Sequence, residues 1–217
     1  MARRTKAEAQ ETRRAIMQAA MRQFSQQGWA ATSLVDVARE AGVTRGAIYW
    51  HFENKAELLI ALWQELCEPI GQMLSASLNV DEPDPLGHLE RFLLLLLENV
   101  TESDSHREFF RLFFNQTEPS SEVEAFHRMI KEEIAVYQSE LKAALCNAIH
   151  RGQLPSDLDV DQAAVFIHCA LDGLILNALH PCSMISLALH TKTYVHFILS
   201  ALRHGLPDEA NTGCCAK

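Results

Sequence analysis

Nearly every periodic stretch of this chain carries helical spacing, and Gly, Pro and Asp gather only at the joints between those stretches, so the expected fold is all-α. The first helix reads from Ala7 to Gln27, with Ile16, Ala19, Ala20, Met21 and Phe24 in one apolar stripe and Gly28 as a left-handed stop. Ser33, with Asp36 three residues on, makes a capping-box variant that opens a short helix ending near Ala41. Gly42 then permits a tight turn. Thr44 caps a third helix from Arg45 to about His51, and Asn54 caps a fourth that begins at Lys55 and continues past Trp63.

The run Asp81 to Pro85 breaks the pattern, after which helices are expected over about 86–100, 105–116 and 121–150, with Pro119 between the last two. Gly152 and Pro155 close the long helix. Asp159 or Asp161 opens another that runs to about His180, and a last one spans about Ser186 to Arg203. The expected organisation is a three-helix head with a basic arm over 1–54, a larger helical body over 55–207, and a disordered tail over 208–217.

Composition bounds the function classes. The chain has 217 residues, 48% hydrophobic and 22% charged, which suits a packed core and argues against disorder. The polar, basic N-terminus has no apolar segment behind it, so no secretory signal is expected. The most apolar uninterrupted run, Phe92 to Leu97, is far shorter than the ~20 residues of a bilayer span, so no membrane partner is expected either. Cys67, Cys146, Cys169, Cys182, Cys214 and Cys215 form no C-x-x-C pair and no zinc spacing, so neither metal nor cofactor is expected, and a reduced, cytoplasmic location follows. The first four read as small buried or half-buried residues.

The net charge of −9 alone argues against nucleic acid, yet through Glu53 there are eight Lys/Arg against five acids, +3, which leaves −12 for the remainder. A basic quarter on an acidic body is the asymmetry of a chain whose first segment approaches phosphates.

The segment SLVDVAREAGVTRGAIYWHF reads as a helix-turn-helix. Val37, Ala38, Ala41, Val43 and Ile48 are spaced to pack two short helices on the first. Thr44, Arg45, Gly46, Ala47, Tyr49 and His51 are left on the outer surface of the second, which can enter a major groove N-terminus first. Arg45 can grip guanine bidentately, with Thr44 and Ala47 near base edges and Gly46 letting the backbone come close. Tyr49, His51 and Lys55 suit phosphate oxygens, as does Ser33 at the preceding helix start, while Arg3, Arg4 and Lys6 can follow a minor groove or the neighbouring phosphates. Trp50 and Phe52 read as core aromatics, and Glu40 and Glu53 as solvated charges.

These residues resemble a known family. TRGAIYWHFENKAELL, preceded by TSLVDVAREAGV and by RRTKAEAQETR, is similar to the TetR family, and more narrowly to the AcrR-type repressors of multidrug efflux pumps, over about residues 3–65. RGQLPSDLDVDQAA followed by LDGLI resembles the same subgroup. The resemblance implies an all-helical homodimer, a palindromic double-stranded operator, recognition positions at Thr44, Arg45, Gly46, Ala47, Tyr49 and His51, a phosphate-gripping lysine at Lys55, and a body whose last two helices form the dimer interface. The body departs from it at Phe109-Phe110-Arg111-Leu112-Phe113-Phe114, where efflux repressors often carry polar residues and a Lys-Cys-Glu string, of which Glu118 alone remains.

The body also holds more apolar residues than helix packing needs, including Leu93 to Leu97, Phe126 and Phe166. A pocket for a small hydrophobic or cationic effector is expected, lined by Trp63, Leu66, Ile70, Leu96, Phe110 and Phe114, with His168, Leu171 and Asp172 on a further helix. Asp172, four residues from His168, needs a partner: Arg107 or Arg111, the dimer seam, or a cationic ligand. Three readings compete: a head that serves an activator, a DNA-binding regulator switched by thiol oxidation, and a small hydrolase. For the last the sequence offers no nucleophile elbow, phosphate loop or Ser/Cys-His array, and the chain is expected not to be an enzyme.

Overall fold

In a computed structural model the described residues are 6–114, 121–183 and 185–204. They form α1 (Lys6–Gln27), α2 (Leu34–Glu40), α3 (Arg45–His51), α4 (Lys55–Ser75) with a following turn of 3-10 helix (Ala76–Leu78), α5 (Pro85–Glu102), α6 (Asp104–Phe114), α7 (Ser121–His150), α8 (Val160–Leu179) and α9 (Leu187–His204). No strand occurs among them. Arg3, Arg4, Glu118 and the 208–217 tail lie outside the described residues.

The chain groups into two compact units: Met1–Pro69 with Glu102–Ala135, and Ile70–Thr101 with Val136–Lys217. In the first, α1 packs on α2 and α6, and α2 on α3. Its core gathers Ile16, Met17 and Ala20 of α1 with Val37, Ile48, Phe52, Leu58 and Leu59, all at 0–1% exposure, and extends through Phe109 and Phe126. Burial on that scale stabilises by roughly 1.5–3 kcal/mol for each large side chain, which is how two helices of only seven residues hold their places. Trp50 departs from expectation: it is 73% exposed, because Ile48 and Phe52 take the inward positions of α3 and its C-cap.

In the second unit, Leu89, Leu93 and Leu97 of α5, Leu141 and Leu145 of α7, Ile167, Leu171 and Ile175 of α8, and Val195 and Leu199 of α9 are buried. The break at Asp81–Pro85 is held by hydrogen bonds rather than by a core: the Arg151 guanidinium donates to the Val80 and Glu82 carbonyls, each at 2.9 Å, and the Asn147 amide donates to the Ser77 carbonyl at 2.9 Å.

The α8 helix packs on α9 and is apolar on two faces. Ala164, Ile167, Leu171 and Ile175 are buried, whereas Val165, Phe166, Cys169 and Leu176 are exposed. With 20 residues, and a mean hydropathy of 1.5 over its most apolar 18, it is long and apolar enough to span a bilayer by length and composition alone. Judging uninterrupted runs missed this, because Asp172, His168 and Gly173 punctuate the segment. Phe166 is therefore not a core residue. The cysteines differ too: Cys67 is half-buried, but Cys146, Cys169 and Cys182 are exposed, on outward helix faces and in the turn after α8.

Candidate nucleic-acid interface and effector site

The α2–turn–α3 unit is fixed by its caps. The Ser33 hydroxyl accepts from the Asp36 N–H at 3.2 Å, and the Asp36 carboxylate accepts from the Ser33 N–H at 3.1 Å, a complete capping box. The Ser33 hydroxyl also donates to the Asp36 carboxylate at 2.5 Å, and that bond, with the one from the Ser33 N–H and aided by Arg39, holds the Asp36 carboxyl below the usual carboxylate range. Gly42 takes φ +66°, and the Val43 N–H donates to the Ala38 carbonyl at 3.0 Å, so the chain turns without a β-carbon penalty. The Thr44 hydroxyl then accepts from the Ala47 N–H at 3.1 Å and starts α3.

With Ile48 buried beneath it, α3 exposes Thr44, Arg45, Gly46, Tyr49 and Trp50, and leaves Ala47 and His51 half-buried. Arg45 lies over the Tyr49 ring, 5.6 Å from its centroid, which holds the guanidinium along the helix surface. Gly46 has no internal reason to be glycine: an added β-carbon meets only the Thr44 hydroxyl, at 4.0 Å. Trp50, with its ring edge-on to His51 at 4.5 Å, belongs to the same surface. A seven-residue helix has too few turns for spacing to reveal it.

Two positions have structural employment as well. Ser33 is engaged in its capping box, and Lys55 donates to the Trp29 carbonyl at 2.9 Å. Glu40 is not simply solvated, since it pairs with Arg22 of α1 at 2.9 Å.

The expected effector residues divide between the units. In the first, Trp63 lies 5.4 Å from Phe113 and 6.1 Å from Phe109, Phe110 stacks on Phe114 at 6.2 Å, and Leu66 packs at the edge of the same core. His106 crosses from α6 to α4, with Nε2 at 3.2 Å from the Leu66 carbonyl, and burial holds its pKa below the ordinary value. Cys67 is pushed up to about 12 by burial and by Glu133, which keeps it a thiol. A cleft of about 530 Å³ in this unit is lined by Arg13, Arg14, Gln64, Glu65 and Glu68 among others; its walls are charged, unlike the apolar pocket expected from sequence.

In the second unit Ile70 and Leu171 are buried, and Leu96, His168 and Asp172 are half-buried. Asp172 pairs with His168, Nε2 to Oδ2 at 3.6 Å, while Arg107 is engaged with Asp104 inside α6. Burial raises the Asp172 carboxyl above the ordinary range, and His168 opposes that rise. Sequence reasoning missed Tyr137 of α7, whose ring lies 6.0 Å from His168 and 5.8 Å from Phe92.

The family description "Bacterial regulatory proteins, tetR family" matches residues 16–62, and "MAATS-type transcriptional repressor, C-terminal region" matches 84–204. The chain belongs to the TetR family. This TetR repressor is 42% identical over 175 residues, 81% of its own length and 83% of the relative's, to the transcriptional regulator TtgR of Pseudomonas putida. It is 34% identical to AcrR of Shigella flexneri, over 92% of this chain and 93% of that one. Among solved structures it is similar to SmeT in complex with triclosan, with TM-score 0.80 and 26% identity over 88% of this chain and 91% of that chain. SmeT is the repressor of the Stenotrophomonas maltophilia multidrug efflux pump SmeDEF. The TetR family is one of transcriptional regulators rather than of enzymes.

Proposed function

We propose that this TetR repressor binds a palindromic operator as a homodimer in the cytoplasm, controls a multidrug efflux operon, and is released by a small hydrophobic or cationic compound. The observation that carries the reading is α3: Ile48 anchors it from below while Thr44, Arg45, Gly46, Tyr49 and Trp50 face outward, and Gly46 lacks any internal need for glycine. Arg45 and Thr44 read base edges, while Tyr49, His51, Lys55 and the Ser33 end of α2 hold phosphates. Arg3 and Arg4 contribute charge from the arm.

The dimer is supported by α8 and α9. Phe166, Leu176, Leu189 and Phe197 are exposed apolar side chains at 45–78% exposure, and a helix apolar on two faces needs two partners, its own unit and a second copy. Binding two half-sites requires the two α3 helices of such a dimer to lie about 34–36 Å apart, one duplex turn. The effector reading is supported by the His168–Asp172 pair among apolar residues in the second unit and by the Trp63 and Phe110 cluster in the first. The triclosan complex of SmeT supports a compact hydrophobic effector. Occupation shifts α4, which leads directly out of the head, and changes the spacing of the two heads. Effector and operator then oppose each other reciprocally by about 1–3 kcal/mol.

The test is a gel-shift titration of the full-length protein on the promoter fragment of its neighbouring efflux genes, with a broad panel of hydrophobic and cationic drugs. Retarded duplex that a subset of compounds frees is expected. No retardation, or a complex indifferent to every compound, would refute the reading.

A further inference from the structure

The charged cleft of the first unit runs between one face of α1 and one face of α4. Gln10, Arg13 and Arg14 stand at i, i+3 and i+4 on α1, and Ala61, Gln64, Glu65 and Glu68 at i, i+3, i+4 and i+7 on α4. One wall is therefore cationic and the other anionic. Yet among the described residues none of these four charged side chains closes an ion pair within 4.0 Å. The charges face a space of about 530 Å³, the size of a small-molecule site, rather than each other.

Arg13 is held ready for a partner at its edge. Its guanidinium lies over the Phe52 ring, 5.0 Å from the centroid, and Nη1 donates to the Met17 sulfur, a weak acceptor, at 3.2 Å, which leaves the rest of the donor fork for an oxyanion. A plain anion drawn to the arginines meets the repulsion of Glu65 and Glu68, and a plain cation the reverse, so much of either attraction cancels. A zwitterion gains from both walls. Between the charges the Gln10 and Gln64 amides each donate and accept, as a peptide group requires, and the small side chain of Ala61 leaves the middle open.

We propose that the α1–α4 cleft is a second small-molecule site, and that it takes short zwitterionic peptides. The ligand carboxylate accepts from Arg13 and Arg14, the ligand ammonium donates to Glu65 and Glu68, and its peptide groups pair with Gln10 and Gln64. The site lies wholly within the first unit and stands independently of the effector-released repressor reading.

The test uses the full-length protein and three peptides of one skeleton: triglycine, N-acetyltriglycine, which lacks the cation, and triglycine amide, which lacks the anion. Binding is read from backbone amide shifts in NMR titrations, which also report where it occurs, in low-salt buffer, where exposed charges are least screened. Triglycine is expected to move the amides of residues 10–14 and 61–68 saturably, and to bind about tenfold tighter than either blocked peptide. Glu65→Gln combined with Glu68→Gln should erase the advantage of triglycine over N-acetyltriglycine, and Arg14→Gln should narrow its advantage over triglycine amide. These three side chains are exposed, so the variants should melt as the natural protein does. The blocked peptides test the same charges on the unaltered protein. The proposal is overturned if triglycine causes no saturable shift, if its shifts fall outside the two helix faces, if either blocked peptide binds as tightly, or if the glutamate variant keeps the full preference.

Discussion

Lys55 fastens the start of α4 to the loop before α2: its ammonium donates to the Trp29 carbonyl at 2.9 Å and lies 4.8 Å over the Trp29 ring. An ammonium has three donors, so the Trp29 carbonyl need not be its sole partner. Lys55→Met is expected to destabilise by about 1 kcal/mol through the lost hydrogen bond and cation–π contact. It should also weaken operator and random duplex alike and lower the salt slope of binding by about one. Thermal melts and anisotropy across a salt series check both parts; an unchanged melt would remove the structural role.

Gly46 separates folding from recognition. With space for a β-carbon and ordinary helical φ, Gly46→Ala is expected to stabilise the head by roughly 0.5 kcal/mol. On the proposed interface the same methyl faces the duplex, and operator affinity should fall on the order of tenfold. A variant that melts higher and binds as tightly would place the duplex elsewhere.

Thr44 has two duties that one pair of substitutions divides. Thr44→Val removes the bond to the Ala47 N–H and should lose about 1 kcal/mol of stability, while Thr44→Ser keeps the cap and the melt. Operator affinity should follow the cap, falling for the valine and holding for the serine. Equal melts for the two would show that α3 does not depend on this bond.

Asp172 gives stability a pH dependence of definite sign. Its folded-state pKa is raised, so between the ordinary carboxylate value and that raised value the native state binds more protons than the unfolded chain. Stability therefore falls as pH rises through this window. Asp172→Asn should melt higher than the natural protein at neutral pH, and the advantage should vanish on acidification below the ordinary carboxylate range. A difference that stays constant with pH would assign the effect to something other than ionisation.

The helical frame was legible where local chemistry is strong. The sequence offers Thr44 as one cap and Asp159 or Asp161 as another; Thr44 and Asp159 accept from the Ala47 and Gln162 N–H groups, and α3 runs over the residues its capping pattern predicts. The outer face of α3 was legible because Ile48 leaves few inward positions on so short a helix. What the sequence hid depends on tertiary partners. Trp50 and Phe52 are equally aromatic, and only packing on α1 decides which turns in. Cys169 and Phe166 look like core residues until the second face of α8 is found uncovered. Tyr137 sits in an unremarkable amphipathic run, and nothing short of coordinates reveals a hydroxyl stranded without a partner.

The claim on which the account stands is that two α3 helices, held by the α8–α9 seam, enter successive major grooves. The direct measurement is affinity for a series of duplexes in which the two operator half-sites are moved apart base pair by base pair, with Phe197→Asp as a variant of the seam. Affinity should collapse when about five base pairs, half a helical turn, are inserted, and recover in part at a full turn. The seam variant should run as a monomer in sedimentation and bind every spacing equally weakly. Tight binding by the natural protein that ignores the spacing would contradict the account.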